Sequence, residues 1–213
     1  MKRIACVSQK GGVGKSTVAR DIAVQFAGNG WSVRIADMDS RQSTSIQWGE
    51  RRAEASISPE VAVAGFTSAS DAVKANGVDL AVYDGKPYSD SDTRKLAEVA
   101  DLIILPSGAT LDDLDPQIRL AHELSKGGIP KDRILFVLNS VASDLSGNEV
   151  SAAKLYVTEA GYRVAEAVVP KRTAYGQAHN AGRSISEVTH PSLRSHAVKL
   201  VEEIGAILLK EKT

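Results

Sequence analysis

The stretch Ile4-Ala5-Cys6-Val7-Ser8-Gln9-Lys10-Gly11-Gly12-Val13-Gly14-Lys15-Ser16-Thr17 decides the fold of this chain. A short apolar run enters a glycine-rich turn. The turn closes on Lys-Ser-Thr, and an amphipathic stretch follows with Val18, Ile22, Ala23 and Phe26 at helical spacing. Strand, glycine-rich turn and helix are the context in which such a motif forms a phosphate-binding loop. Glycines 11, 12 and 14 let backbone N–H groups approach phosphate oxygens, and a helix N-terminus adds partial positive charge. Lys15 is placed to bridge the β- and γ-phosphates of a nucleoside triphosphate, and the Ser16 hydroxyl to ligate Mg²⁺. The nucleotide-contacting stretch is therefore Gly11, Gly12, Val13, Gly14, Lys15, Ser16 and Thr17.

The usual loop opens with glycine where this chain has Gln9, and a second lysine, Lys10, follows. Lys10 stands too early to fold back onto its own nucleotide. It either reaches a partner subunit's phosphates, as an arginine finger does, or is a solvated surface lysine. The first option predicts a nucleotide-dependent homodimer.

Working outward, β-branched runs alternate with helical stretches. Strands are expected at Ser32–Ala36, Leu80–Tyr83, Leu102–Leu105, Ile134–Leu138 and Ala165–Val169, with a further apolar run at Val61–Phe66. Helices are expected near Thr44–Ala55, Ser68–Ala75, Leu114–Leu124, Val150–Ala160 and Leu193–Leu209. This alternation predicts a single α/β domain over 1–213: a mostly parallel twisted sheet of about seven or eight strands, with helices on both faces. Ligands of such sheets lie at the C-terminal strand ends, where Lys10, Asp37, Asp39, Asp84 and Asn139 fall. Asp84, after Leu80–Tyr83, takes the position of a Mg²⁺-holding carboxylate. Asp37 and Asp39 end the second strand. One could position the attacking water and the other assist the metal, or both are turn and cap residues. Asp112, Asp113 and Asp115 read first as the acidic opening of a helix.

The 213 residues carry 26 basic and 26 acidic side chains, which excludes a whole-chain basic bias toward nucleic acid. Any such surface is a local patch. The lone cysteine, Cys6, excludes a disulfide framework or a Cys-rich metal site and reads as a small buried hydrophobe. No apolar stretch is long enough to span a membrane, so a cytoplasmic protein is expected.

Lys10–Thr17 resembles the deviant Walker A signature of the ParA/MinD ATPases. Asp37-Met38-Asp39 resembles their second acidic motif, Asp79–Asp84 their Walker B strand, Leu102–Pro106 the strand after it, and Val169-Pro170 the nucleotide-flanking segment. The similarity runs from Lys2 to about Leu209 and is greatest to the short ParA proteins that segregate plasmids, which lack an N-terminal DNA-binding extension. It implies an ATPase in which Lys10 acts across the dimer and Lys15 and Ser16 contact phosphate and Mg²⁺. Asp39 serves hydrolysis, and Asp84 is linked to Mg²⁺. Asn139 reads the base, and Pro170 contacts adenine through its backbone. It further implies non-specific DNA binding as an ATP dimer, association with the nucleoid, and hydrolysis stimulated by a cargo-bound ParB-like partner. The alternatives are a MinD-like or other cargo-positioning ATPase, or a nucleotide-gated scaffold with negligible turnover.

The chain departs from the pattern at Ser40-Arg41, where relatives often have Pro-Gln. Gly85-Lys86-Pro87 follows Asp84, leaving Lys86 without a role, and Val141 stands where an arginine is common. Between Arg163 and Lys199 basic residues outnumber acidic ones, and Lys171, Arg172 and Arg194 fall near DNA-contacting positions of relatives. The C-terminal stretch has an apolar stripe but two glutamates and no aromatic, which favours packing on the sheet over membrane binding.

Overall fold

A computed structural model describes residues 1–87, 91–142 and 144–210. Eight parallel strands form the sheet: β1 (Lys2–Ser8), β2 (Val33–Asp37), β3 (Ala62–Gly65), β4 (Leu80–Pro87), β5 (Leu102–Ser107), β6 (Ile134–Val141), β7 (Arg163–Val164) and β8 (Val169–Pro170). Their order is β3-β2-β4-β1-β5-β6-β7, with β8 also pairing β6. The helices are α1 (Lys15–Gly28), α2 (Thr44–Glu54), α3 (Ala69–Lys74), α4 (Ser91–Val99), α5 (Leu111–Lys126), α6 (Gly147–Glu159), α7 (Thr173–Asn180) and α8 (Pro191–Leu208).

The strands read as unbroken apolar runs because both faces are covered. Ile4 and Cys6 point into one core with the apolar sides of α1 and α8, while Ala5 and Val7 point into the other with α4 and α5. Cys6 is fully buried. The stripe of α8, including Leu200, Ile204 and Leu208, lies in the first core, so this helix packs on the sheet. No helix among the described residues is long and apolar enough to cross a membrane.

Most strands and helices fall within a few residues of their expected places. The expected strand Ala165–Val169 is instead two short strands, β7 and β8, either side of a detour. The cause is Glu203 of α8, whose carboxylate accepts the N–H groups of Glu166 at 2.9 Å and Ala167 at 3.2 Å. Those donors leave the sheet to meet that carboxylate. Neither α4 nor α7 is signalled by the apolar pattern.

The chain leaves β1 toward β2 on one side and later crosses to β5 on the other. Such reversals open a crevice at the strand ends. Register places Asp84 opposite Cys6 on one neighbour and Asp37 on the other.

Candidate functional site

The turn from Gln9 to Gly14 wraps from β1 to the N-terminus of α1. Gly12 and Gly14 have φ of 78° and 93°, in the left-handed region that favours glycine. A Cβ on Gly14 would collide with the Asn139 amide. That amide donates from Nδ2 to the Val13 carbonyl at 2.8 Å, so β6 clasps the loop directly. Lys15 is buried, and its Nζ donates to Ser8 Oγ at 3.0 Å. Burial pulls its amine below the ordinary lysine value, opposed by the charges of Asp84 and Asp39. Ser16 Oγ lies 3.4 Å from Thr44 Oγ1 at the start of α2.

Asp84 is 2% exposed, and its Oδ2 accepts from Ser45 Oγ at 2.7 Å. Its Oδ1 is buried without a hydrogen-bond partner. Burial raises its pKa, while the Ser45 and Ser16 hydroxyls pull the other way. A desolvated, unpaired carboxylate oxygen beside a serine hydroxyl and a phosphate loop is the donor set a hard divalent cation takes, with nucleotide oxygens completing its shell. Lys15, Ser16, Thr17, Arg20, Asp39 and Asp84 are among the residues that line one cleft of about 300 Å³.

Asp37 does not line that cleft. Its Oδ2 accepts the N–H groups of Ser45 at 2.9 Å and Ile46 at 3.2 Å, and its Oδ1 accepts from Asp39 N at 3.0 Å. It secures the first turn of α2 through backbone donors that would otherwise be orphaned, the arrangement a cap makes. Asp39 does reach the cleft, but its Oδ1 accepts from Arg41 N and Gln42 N at 3.2 Å each, an Asx-type turn.

A second cleft of about 280 Å³ adjoins the first at Thr17 and is lined by Asn139, Pro170, Lys171, Arg172, Tyr175 and His179 among others. With Nδ2 spent on the loop, Asn139 Oδ1 is buried and unpartnered. Asn139 and Pro170 thus line the same cleft.

Lys10 does not extend into solvent. Its Nζ pairs with Asp113 Oδ1 at 2.7 Å and donates to the Asp112 carbonyl at 3.1 Å. Asp113 sits in the first turn of α5 and also accepts from Thr110 Oγ1 at 2.8 Å. Burial pushes Asp113 up, but the Lys10 and Thr110 hydrogen bonds outweigh it and hold its carboxyl below the ordinary range. The acidic cluster is therefore a helix opening that also parks Lys10. Lys86 finds its role too: its Nζ pairs with Asp92 Oδ2 at 3.0 Å, and Asp92 Oδ1 accepts from Ala69 N at 3.2 Å, tying the end of β4 to α4 and α3.

The basic surplus of Arg163–Lys199 is not one face. Arg163 opposes Leu135 near the N-terminal end of β6, away from the clefts. Lys171 and Arg172 are exposed on the rim of the second cleft. Arg194 is exposed in the first turn of α8, which Tyr175 Oη joins to α7 through the Leu193 carbonyl at 2.8 Å.

Three residues of the site were missed from sequence: Arg20, Ser45 and His179. Arg20 Nε donates to Ser45 Oγ at 3.1 Å, and its Nη1 meets His179 Nδ1 at 2.8 Å. The one available signal was that Arg20 follows Ser16 by four residues and shares its helix face.

A family model described as the CobQ/CobB/MinD/ParA nucleotide binding domain matches residues 4–185. The chromosome-partitioning ATPase Soj of Thermus thermophilus is 25% identical, with 97% of this chain and 96% of that one covered. Among solved structures, the cell division ATPase MinD of Pyrococcus furiosus superposes with a TM-score of 0.75 at 20% identity, covering 97% of this chain and 99% of that one. The ATP complex of a substituted form of Cyanothece McdA gives 0.74 at 17%, covering 96% of each chain. A plasmid partition protein of Borrelia burgdorferi bound to AMPPNP gives 0.68 at 16%, covering 98% of each.

Proposed function

The chain belongs to the CobQ/CobB/MinD/ParA nucleotide-binding family, and from that premise we propose that it is a Mg²⁺-dependent ATPase of the partition type. The observation that carries this reading is Asp84 Oδ1, a buried carboxylate oxygen with no partner, facing a phosphate loop that ends in Lys15 and Ser16. ATP would lay its phosphates along Gly11–Thr17 and its base against Asn139 and Pro170. Ser16 Oγ and Asp84 Oδ1 would hold Mg²⁺, which when bound offsets charge on the β- and γ-oxygens. Lys15, already desolvated, supplies fixed positive charge, and Asp39 orients the attacking water.

Lys10, released from Asp113, would reach the partner protomer's phosphates in an ATP-dependent homodimer. Lys171, Arg172 and Arg194 would meet DNA phosphates without reading sequence. A ParB-like cargo-bound protein would stimulate turnover, in keeping with the resemblance to Soj. The test is phosphate release with and without DNA and the partner encoded nearby, alongside fluorescent-ATP binding. Lys15→Ala should abolish both, and Lys10→Ala should keep binding but lose stimulated turnover.

A second reading, a nucleotide-gated scaffold, is favoured by Asp39, since one of its oxygens is engaged by Arg41 and Gln42 rather than aimed at a water. ATP-dependent dimerisation with no turnover under any condition would establish the scaffold and overturn the ATPase.

A further inference from the structure

We infer that Arg20 is a positioning residue for the metal carboxylate, acting through Ser45; this rests on the reading above that Asp84 meets Mg²⁺. Of the two Asp84 oxygens, Oδ2 is taken by a donor and Oδ1 is not. Ser45 Oγ donates to Oδ2, and Arg20 Nε donates to that same Ser45 Oγ. A serine hydroxyl has one proton. With Arg20 filling a lone pair of Ser45, that proton is committed to Asp84. Oδ2 is thereby fixed and Oδ1 is left bare for the cation.

Arg20 is itself held on several sides. Its Nη1 donates to His179 Nδ1 at 2.8 Å. Its guanidinium lies 5.7 Å from the centroid of the Trp48 ring, and it is only 6% exposed. Burial draws its pKa down to about 10, so it stays protonated and can only donate. His179 is pushed down to about 4 by burial and by Arg20 and Arg51, so its ring is neutral and Nδ1 accepts. The chain His179–Arg20–Ser45–Asp84 thus has one direction of donation at every joint. It ties α7, α1, α2 and β4 to the same carboxylate. Outer partners that orient a ligating carboxylate commonly matter as much for metal affinity as a weak ligand does.

The test titrates Mg²⁺ against the protein carrying saturating fluorescent ADP, so that hydrolysis plays no part. Arg20→Lys keeps the charge but replaces the two nitrogens that reach Ser45 and His179 with one, and Ser45→Ala removes the hydroxyl. Each should raise the Mg²⁺ midpoint about tenfold when read against that variant's own ADP affinity in EDTA. The double variant should be no worse than Ser45→Ala alone, because Arg20 acts through that hydroxyl. An unchanged midpoint in either folded single variant overturns the inference, and so do additive effects in the double variant. Wild-type protein that binds ADP equally with and without Mg²⁺ would instead overturn the metal reading at Asp84, and the inference with it.

Discussion

Replacing Asp113 by asparagine should tighten ATP-dependent self-association. In the isolated protomer Lys10 is held by Asp113 Oδ1 at 2.7 Å and by the Asp112 carbonyl. A lysine that must cross to a partner has to break this pair first. The two side chains are 39% and 29% exposed, so the pair belongs with surface ion pairs, worth about 0.5 kcal/mol each. A symmetric dimer breaks two, a cost of about 1 kcal/mol, and removing that cost strengthens the dimer about fivefold. Asparagine keeps an acceptor for Thr110 Oγ1, so the opening of α5 is preserved. Sedimentation with a non-hydrolysable ATP analogue measures the effect. It should shrink at high salt, where exposed charges are screened, and vanish in a Lys10→Ala background. An Asp113→Asn dimer no tighter than wild type, or weaker, would show that the pair supports the dimer rather than restraining it.

Three further outcomes follow from the geometry. Gly14→Ala forces a side chain into the left-handed region and drives the Asn139 amide off Val13, a cost of about 2–5 kcal/mol; Gly12→Ala meets no neighbour and costs about 1 kcal/mol, and comparing their urea midpoints checks the difference. His179, lowered to about 4 from 6.5, binds fewer protons in the folded state, so its contribution is full above pH 6.5 and lost as pH falls toward 4. Asp21, raised to about 6 from 3.8 by burial, has the opposite slope and costs stability as pH rises through 4–6. Each amounts to about 3 kcal/mol, and in wild type they offset. His179→Gln should therefore gain about 3 kcal/mol relative to wild type between pH 6.5 and pH 4, and a pH-independent difference in urea midpoints would refute the assignment. Arg194→Glu should weaken duplex binding steeply at low salt and flatten its salt slope, whereas Arg163→Glu, at the other end of the sheet, should not; equal effects in filter binding would move the DNA surface elsewhere.

What could be read from sequence was what depends on neighbours along the chain. The phosphate loop declares itself because glycine, lysine and serine must follow one another within a single turn. Asp84 stood out because a carboxylate follows the apolar run Leu80–Tyr83, although β4 itself continues to Pro87. Strand positions were legible because parallel strands buried on both faces are apolar throughout. α7 was not, because it is eight residues long, contains Gly176 and buries only Tyr175 and Ala178. The split between β7 and β8 was hidden because its cause, Glu203, stands 37 residues downstream of Glu166.

The same distinction runs through the site, and there it separates identity from control. The residues that would touch ATP lie in contiguous motifs. The residues that set their state do not: Asp113 is 103 positions from Lys10, and His179 is 159 from Arg20. Such pairings exist only once α2, α5 and α7 dock against α1 and the strand ends, and no local spacing encodes them. Asp37 shows the cost of reading without them. Placed two residues from Asp39 it looks like half of a metal pair, but the start of α2 comes back to it and backbone donors take up both carboxylate oxygens. The two aspartates of the acidic motif are therefore held differently. Asp37 anchors the segment that carries Ser45, and Asp39 alone is left to meet the cleft. A substitution at Asp37 should accordingly disturb Asp84 through Ser45, by the same route as one at Arg20.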